Sequence, residues 1–121
     1  MTVLDASALL SFLQGEAGAD VVEADLQDDG VCAAVNWSET AQKVRARGAD
    51  WPLARSLLIG YGVRVEPVGQ PDAERAAELW NVGSGLSLGD RLCLAVAERL
   101  RSKALTADRA CPDDDRVVQI R

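Results

Sequence analysis

Four acidic residues stand at junctions where a predicted strand gives way to the next segment of the chain. Asp5 and Asp108 each end a short apolar run of the kind that forms buried strands. Glu39 and Asp90 each lie in the predicted first turn of a helix. Carboxylate oxygens are the ligands that Mg²⁺ and Mn²⁺ prefer, and such a site needs no histidine. Together the four acids could therefore hold a hard divalent cation.

Each acid taken singly also has a structural explanation. Glu39 fits the third position of a capping box that begins at Asn36. Asp90 fits the same position after Ser87. Asp5 is able to cap the helix that follows it, and Asp108 is able to cap the turn after its strand. Gathering four like charges is nevertheless unfavourable, because neighbouring carboxylates repel and raise one another's pKa. Capping accounts for each acid singly but gives no reason to gather the four in one place. A bound cation does give such a reason.

The elements that must position these acids form one α/β domain spanning residues 1–121. The predicted strands are Thr2 to Leu4, Val31 to Val35, Val63 to Val68, Ala104 to Thr106 and Val117 to Ile120. The predicted helices are Ser7 to Leu13, Ala17 to Leu26, Trp37 to Arg47, Trp51 to Tyr61, Asp72 to Trp80 and Leu88 to Arg101. Most strands are continuously apolar, which predicts a mostly parallel sheet of about five strands with helices on both faces. Strand ends and helix starts then meet at one edge of the sheet.

Composition excludes several classes of function. The chain has 13 Lys and Arg against 19 Asp and Glu, a net charge of −6, so it does not hold nucleic acid by bulk electrostatics. It has no histidine, which excludes Ser-His-Asp catalysis and histidine zinc sites. Its three cysteines, Cys32, Cys93 and Cys111, show no C-x-x-C spacing and indicate free thiols in a reducing compartment. Without a signal peptide or an apolar run of membrane-spanning length, we expect a cytoplasmic protein.

Four segments carry a resemblance to a known family. Val-Leu-Asp-Ala-Ser, Val-Asn-Trp-Ser-Glu, Leu-Ser-Leu-Gly-Asp-Arg-Leu-Cys-Leu-Ala and Leu-Thr-Ala-Asp-Arg resemble, in order and spacing, the acidic motifs of PIN-domain ribonucleases, particularly VapC-type toxins of bacterial toxin-antitoxin modules. The resemblance implies a PIN-like three-layer α/β/α domain. It also implies catalytic and metal-binding roles for the four acids, with Ser7 and Thr106 as supporting neighbours. The sequence departs from many relatives after Asp108, where Arg109 to Pro112 and the acidic run Asp113 to Asp115 replace an expected aromatic residue.

The resemblance further implies an activity and its partners. It predicts an endoribonuclease that uses Mg²⁺, with Mn²⁺ as an alternative, and that leaves a 5′ phosphate on the product. The expected partners are an RNA substrate, a small antitoxin protein and a second copy of the chain in a homodimer. The alternative is a PIN fold retained as a non-catalytic binding scaffold, although such a protein would be expected to lose at least one of the four acids.

Basic and aromatic residues allow further predictions about RNA and partner contacts. Arg91 and Arg109 flank two of the acids, where they would either contact phosphates or form surface ion pairs. The stretch Lys43 to Arg47 could follow an RNA backbone, with Trp37 and Trp51 stacking on bases. Tryptophans in short amphipathic helices more often pack in a core or interface. By resemblance, these helices form a hairpin that helps to make the groove for the antitoxin peptide.

Overall fold

The computed structural model describes residues 1–108 and 115–120, which contain five strands and six helices. In chain order they are β1 (Thr2–Leu4), α1 (Ala6–Leu13), α2 (Ala19–Gln27), β2 (Gly30–Ala33), α3 (Ala34–Ala46), α4 (Trp51–Gly60), β3 (Arg64–Glu66), α5 (Gln70–Glu78), α6 (Leu88–Arg99), β4 (Lys103–Thr106) and β5 (Val117–Gln119). Within these residues, no helix is both long and apolar enough to cross a bilayer.

All five strands are parallel and form one sheet in the order β3-β2-β1-β4-β5. The central strand β1 pairs Val3 with Val31 of β2 and with Ala104 of β4. Because the pairing is parallel, the carboxyl ends of β1, β2 and β4 lie at the same edge. The predicted three-layer α/β/α fold with a parallel sheet is confirmed.

Alternate residues of the strands face two different apolar cores. Leu4 and Leu105 point into the core formed with α1, α2, α3 and α4, whereas Val3 and Ala104 point towards α6. Val3, Leu4 and Leu105 are at most 1% exposed. Burial on both faces explains why β1, β2 and β4 are apolar along almost their whole length.

Helix α3 begins three residues earlier than its sequence pattern predicts. Its N-cap is Ala33, so the prediction that Asn36 caps this helix is wrong, and Glu39 lies in the second turn instead of the first. Asn36 has a low helix propensity, yet it is buried inside the helix because its side-chain amide has partners there, including one on α6. This tertiary contact outweighs the local preference for a cap.

Helices α3 and α4 form the predicted hairpin. The rings of Trp37 and Trp51 pack edge to face with their centroids 5.2 Å apart, and Trp51 is only 8% exposed. Both rings therefore contribute to packing in the hairpin, which is the interpretation that tryptophans in amphipathic helices favour. Trp51 is too buried in this arrangement to stack on an RNA base.

Candidate active site

Asp5 lies at the centre of the carboxyl edge and is held by several donors. It is the N-cap of α1 and accepts a hydrogen bond from the backbone N–H of Ala8 at 2.9 Å. The Ser7 hydroxyl donates to Oδ1 at 2.7 Å, and the Thr106 hydroxyl donates to Oδ2. The residue is 4% exposed. Its orientation is therefore set by α1 and β4 together.

The end of β4 is tied to the same network. Asp108 donates its backbone N–H to the Thr106 hydroxyl at 2.9 Å, and its carbonyl accepts from the Gln119 side-chain amide at 2.8 Å. The Ser7 hydroxyl accepts from the backbone N–H of Ala107 at 2.9 Å. Ser7 and Thr106 thus join the start of α1 to the end of β4 beside Asp5 and Asp108.

Glu39 reaches the site from α3 and rests against the start of α6. The Asn36 side-chain amide donates to Glu39 Oε1 at 2.8 Å and to the carbonyl of Gly89 at 3.2 Å. A Cβ built on Gly89 would lie 2.5 Å from Glu39 Oε1, which is closer than real Cβ contacts. The carboxylate consequently occupies space that only a glycine at position 89 leaves open.

Asp90 forms the predicted capping box at the start of α6. Its Oδ2 accepts from the backbone N–H of Ser87 at 3.0 Å, and its own N–H donates to the Ser87 hydroxyl at 3.1 Å. The residue adjoins Gly89, so its carboxylate and that of Glu39 are presented from neighbouring positions on α6 and α3. Asp90 therefore caps α6 and also lies next to the residue that contacts Glu39.

The acids influence one another electrostatically. Burial raises the pKa of Asp90, and the negative charges of Asp108 and Glu39 raise it further, against the hydrogen bonds from Ser87. Burial also raises the pKa of Asp5, with a smaller contribution from Asp90, while its hydrogen bonds act in the opposite direction. Asp90 therefore lies within electrostatic reach of the other three acids, which are brought together from β1, α3 and β4. Their predicted roles in catalysis and metal binding stay predictions.

The donor set at this edge consists of oxygen atoms only, as a hard divalent cation requires. Within residues 1–108 and 115–120, no three acidic or cysteine side chains stand close enough to hold a metal ion directly. Both carboxylate oxygens of Asp5, and Oδ2 of Asp90, instead accept hydrogen bonds from protein N–H and O–H donors. Mg²⁺ usually keeps several of its waters. The chemistry of the donor set therefore suits a hard divalent cation, and Asp5, Glu39, Asp90 and Asp108 are the residues that would hold it.

The predicted RNA contacts lie partly outside this network. Arg91 donates from Nη1 to the carbonyl of Ala76 at 2.9 Å, which ties α6 to the end of α5. Arg109, Cys111 and the first two residues of the acidic run Asp113 to Asp115 lie outside the described residues. The RNA-binding roles of Arg91 and Arg109 stay predictions.

Two residues that the sequence pattern did not mark as site residues contact Glu39. Asn36 is three positions before Glu39, so both lie on one face of α3, and this spacing was the available signal. Gly89 carried no signal, because nothing in the sequence shows that a glycine next to Asp90 faces α3. The hydrogen bond from the Asn36 amide to the Gly89 carbonyl joins residues 53 positions apart.

The family model of the PIN domain matches residues 2–113 of the chain. No curated protein matches significantly. Among solved structures, the chain is similar to one from a toxin-antitoxin complex of Klebsiella pneumoniae, with a TM-score of 0.78 and 18% identity over 100% of this chain and 98% of that one.

Two further solved structures are similar. The sarcin-ricin loop cleaving toxin VapC20 of Mycobacterium tuberculosis has a TM-score of 0.71 and 20% identity over 95% of this chain and 92% of its own. A FitAcB structure from Neisseria gonorrhoeae has a TM-score of 0.64 and 20% identity over 91% and 89% of the two chains. At these identities the likeness shows a shared fold.

Proposed function

Because the chain belongs to the PIN-domain family, whose members are generally nucleases, we propose that it is a metal-dependent endoribonuclease and the toxin of a toxin-antitoxin pair. The observation that carries the proposal is geometric: the Thr106 hydroxyl bonds both Asp5 and the backbone of Asp108, and the Glu39 carboxylate lies against Gly89, next to Asp90. These are the four acids that match the family's motifs. A protein that had become a binding scaffold would have no reason to keep this repulsive cluster.

In this proposal the four carboxylates hold Mg²⁺ or Mn²⁺ at the carboxyl edge. When bound, the ion supplies positive charge for the scissile phosphate and acidity for the attacking water. Ser7 and Thr106 each donate a hydrogen bond to Asp5 and so keep its carboxylate in one orientation. Ser87 does the same for Asp90. Because the cation offsets the negative carboxylates, the site can accept an RNA phosphate although the chain is acidic.

Cleavage of an RNA pool tests this function directly. The purified protein should cleave RNA with Mg²⁺ and stop when EDTA is added, and the fragments should carry 5′ phosphates. Mapping the 5′ ends of fragments from cells that express the protein would then identify the RNA. Equal cleavage with Mg²⁺ and with EDTA would indicate a contaminating nuclease, and no cleavage by well-folded protein would support the non-catalytic scaffold.

We also propose that the partner is a small antitoxin that binds beside α3 and α4. A cavity of about 430 Å³ there has a mostly apolar lining that includes Leu13, Val44, Leu53 and Leu57. Leu53 is 68% exposed and Leu57 is 45% exposed, so an apolar partner helix would bury both. An arginine of the antitoxin would bind the acidic carboxylates bidentately and compete with the cation. Inhibition of RNA cleavage by the co-purified partner would support this.

A homodimer belongs to the same proposal. Trp80, Val82 and Leu88 are 58%, 85% and 59% exposed, and they lie in or beside the segment that leads into α6. A second copy of the chain that covered this segment would remove all three side chains from water. Light scattering of the purified chain should give twice its mass of 12.9 kDa, whereas monomer mass at micromolar concentration would contradict the dimer.

A further inference from the structure

Among the four acids, Glu39 is the one whose carboxylate accepts a described hydrogen bond from a buried side-chain amide, that of Asn36. Asn36 is 1% exposed and directs both described side-chain hydrogen bonds from its amide nitrogen, one to Glu39 and one to the Gly89 carbonyl. Its Oδ1 is buried and has no hydrogen-bond partner within the described residues. Leaving a buried carbonyl oxygen without a partner is unfavourable. The amide at this position is therefore better explained by what its two donors hold than by the stability of the core.

Gly89 complements Asn36 from the other side of the Glu39 carboxylate. A Cβ at position 89 would lie 2.5 Å from Oε1, 2.9 Å from Cδ and 3.0 Å from Oε2 of Glu39. The atoms it would meet are the far end of a flexible side chain, so an added methyl group would displace the carboxylate without disturbing the backbone. Gly89 has an ordinary helical conformation, and its backbone does not require glycine.

We infer that Asn36 and Gly89 are positioning residues for Glu39. Asn36 holds the carboxylate by a hydrogen bond and links it to the first turn of α6, while Gly89 leaves the space in which the carboxylate lies beside Asp90. This inference rests on the proposed function, in which Glu39 is a metal ligand. When residues that contact and orient a metal-binding side chain are replaced, the metal affinity commonly changes about 10- to 100-fold.

The variant Gly89→Ala separates positioning from folding. Alanine has the higher helix propensity, so the metal-free protein should melt at the same temperature or higher. Its dissociation constant for Mn²⁺, measured by calorimetry without RNA, should rise about tenfold or more. Gly60→Ala is the matched control, because Gly60 ends α4 and an added Cβ there meets nothing within 4 Å. Its Mn²⁺ affinity should equal that of the wild type.

A double-mutant cycle tests whether Gly89 acts through Glu39. In a Glu39→Ala background there is no carboxylate to displace, so adding Gly89→Ala should leave Mn²⁺ affinity unchanged. An equal loss of affinity with and without Glu39 would overturn the inference, because it would mean that the methyl group acts on Asp90 directly. Wild-type affinity in Gly89→Ala would overturn it as well.

Asn36→Leu tests the hydrogen bond with a side chain of similar size that lacks donors. We expect weaker Mn²⁺ binding, whereas Thr40→Val, which removes another buried hydrogen bond of α3, should lower stability without changing Mn²⁺ affinity. Unchanged affinity in folded Asn36→Leu would overturn the role of Asn36. If Asn36→Leu does not fold, Asn36→Ser, which keeps a hydroxyl donor, should bind Mn²⁺ more weakly than the wild type.

The proposed function is tested independently of these measurements. A wild-type protein that binds Mn²⁺ and cleaves no RNA would contradict the ribonuclease, while the affinities of the variants would still decide the roles of Asn36 and Gly89. A wild-type protein that cleaves RNA while Gly89→Ala keeps full Mn²⁺ affinity would contradict the inference alone. A wild-type protein that binds no Mn²⁺ would overturn the inference as well.

Discussion

At the scale of single residues, Asp90 carries a charge that the folded protein tolerates at a cost. Burial raises its pKa, and the charges of Asp108 and Glu39 raise it further against the hydrogen bonds from Ser87, so ionisation costs more in the folded protein than in the unfolded chain. Asp90→Asn removes the charge and keeps an oxygen that can accept from Ser87. We expect this variant to lose metal-dependent cleavage while its metal-free melting temperature at pH 7 stays equal or rises.

The pH dependence of that difference follows from the direction of the pKa shift. As the pH falls through the raised pKa of Asp90 in the folded protein, the Asp90 carboxylate of the wild type takes up a proton and loses its unfavourable charge. The advantage of Asp90→Asn should therefore shrink in acid, as thermal melts in EDTA would show. Asp50→Asn, at the N-cap of α4, is the control and should leave cleavage unchanged. A large fall in the melting temperature of Asp90→Asn would instead indicate that capping is its main role.

Thr106 joins two of the acids through one hydroxyl group. It donates to Asp5 and accepts from the backbone N–H of Asp108. Thr106→Val leaves a buried carboxylate without one donor and should lower the free energy of unfolding by about 1–3 kcal/mol. Urea denaturation at pH 7 measures this change. Thr106→Ser keeps the hydroxyl and should recover most of the stability, so an equal loss in both variants would contradict the role of the hydrogen bond.

At the scale of elements, the more buried of two ion pairs between α5 and the end of α6 joins Asp72 to Arg99. Arg99 donates from Nε to Asp72 Oδ1 at 2.8 Å and from Nη1 to Glu66 at 3.0 Å, so α6 is also tied to β3. Asp72 is 3% exposed, and the Arg99 side chain is 38% exposed. The hydrogen bonds from Arg99 hold the pKa of Asp72 below its usual range, against the effect of burial.

Asp72→Asn should therefore be destabilised by about 1–3 kcal/mol near pH 7. Because the pKa is lowered by folding, this contribution is complete above the unfolded pKa of about 3.9 and is lost as the pH falls through the folded pKa. Urea denaturation between pH 7 and pH 2.5 should show the wild type and the variant converging in acid. Glu78→Gln, which removes an exposed ion pair with Arg75 on α5, should change stability much less than Asp72→Asn at any pH. A constant difference between wild type and Asp72→Asn would contradict the ionic explanation.

At the scale of the whole molecule, the acidic edge and the apolar cavity lie on different parts of the described structure. The cavity lies between α1, α3 and α4, and Leu53 is its most exposed apolar residue. Leu53→Asp should weaken binding of the proposed antitoxin about tenfold or more while leaving cleavage by the free protein unchanged. Val21→Asp, on the exposed surface of α2, is the control for charge and should not affect either property. Equal affinity of wild type and Leu53→Asp would exclude the cavity as the binding site.

Local spacing in the sequence determined those features that depend on neighbouring residues. Asp5 caps α1 and Asp90 completes its capping box with Ser87, as the sequence predicts, because each contact spans only three positions. The alternation of apolar strands with amphipathic helices likewise predicted the order of the elements and the parallel sheet. The motifs near the four acids were sufficient to indicate the family.

Tertiary structure alone decided how the acids are held. The sequence prediction of where α3 begins was wrong. Asn36 lies buried inside the helix because its side-chain amide donates to the carbonyl of Gly89, which is 53 positions away. The hydroxyls of Ser7 and Thr106, 99 positions apart, both donate to Asp5 because β1, which leads into α1, pairs in parallel with β4. Arg91 contacts α5, which its position beside Asp90 did not indicate. Such contacts depend on which elements become neighbours in space, and a pattern of nearby residues does not contain that information.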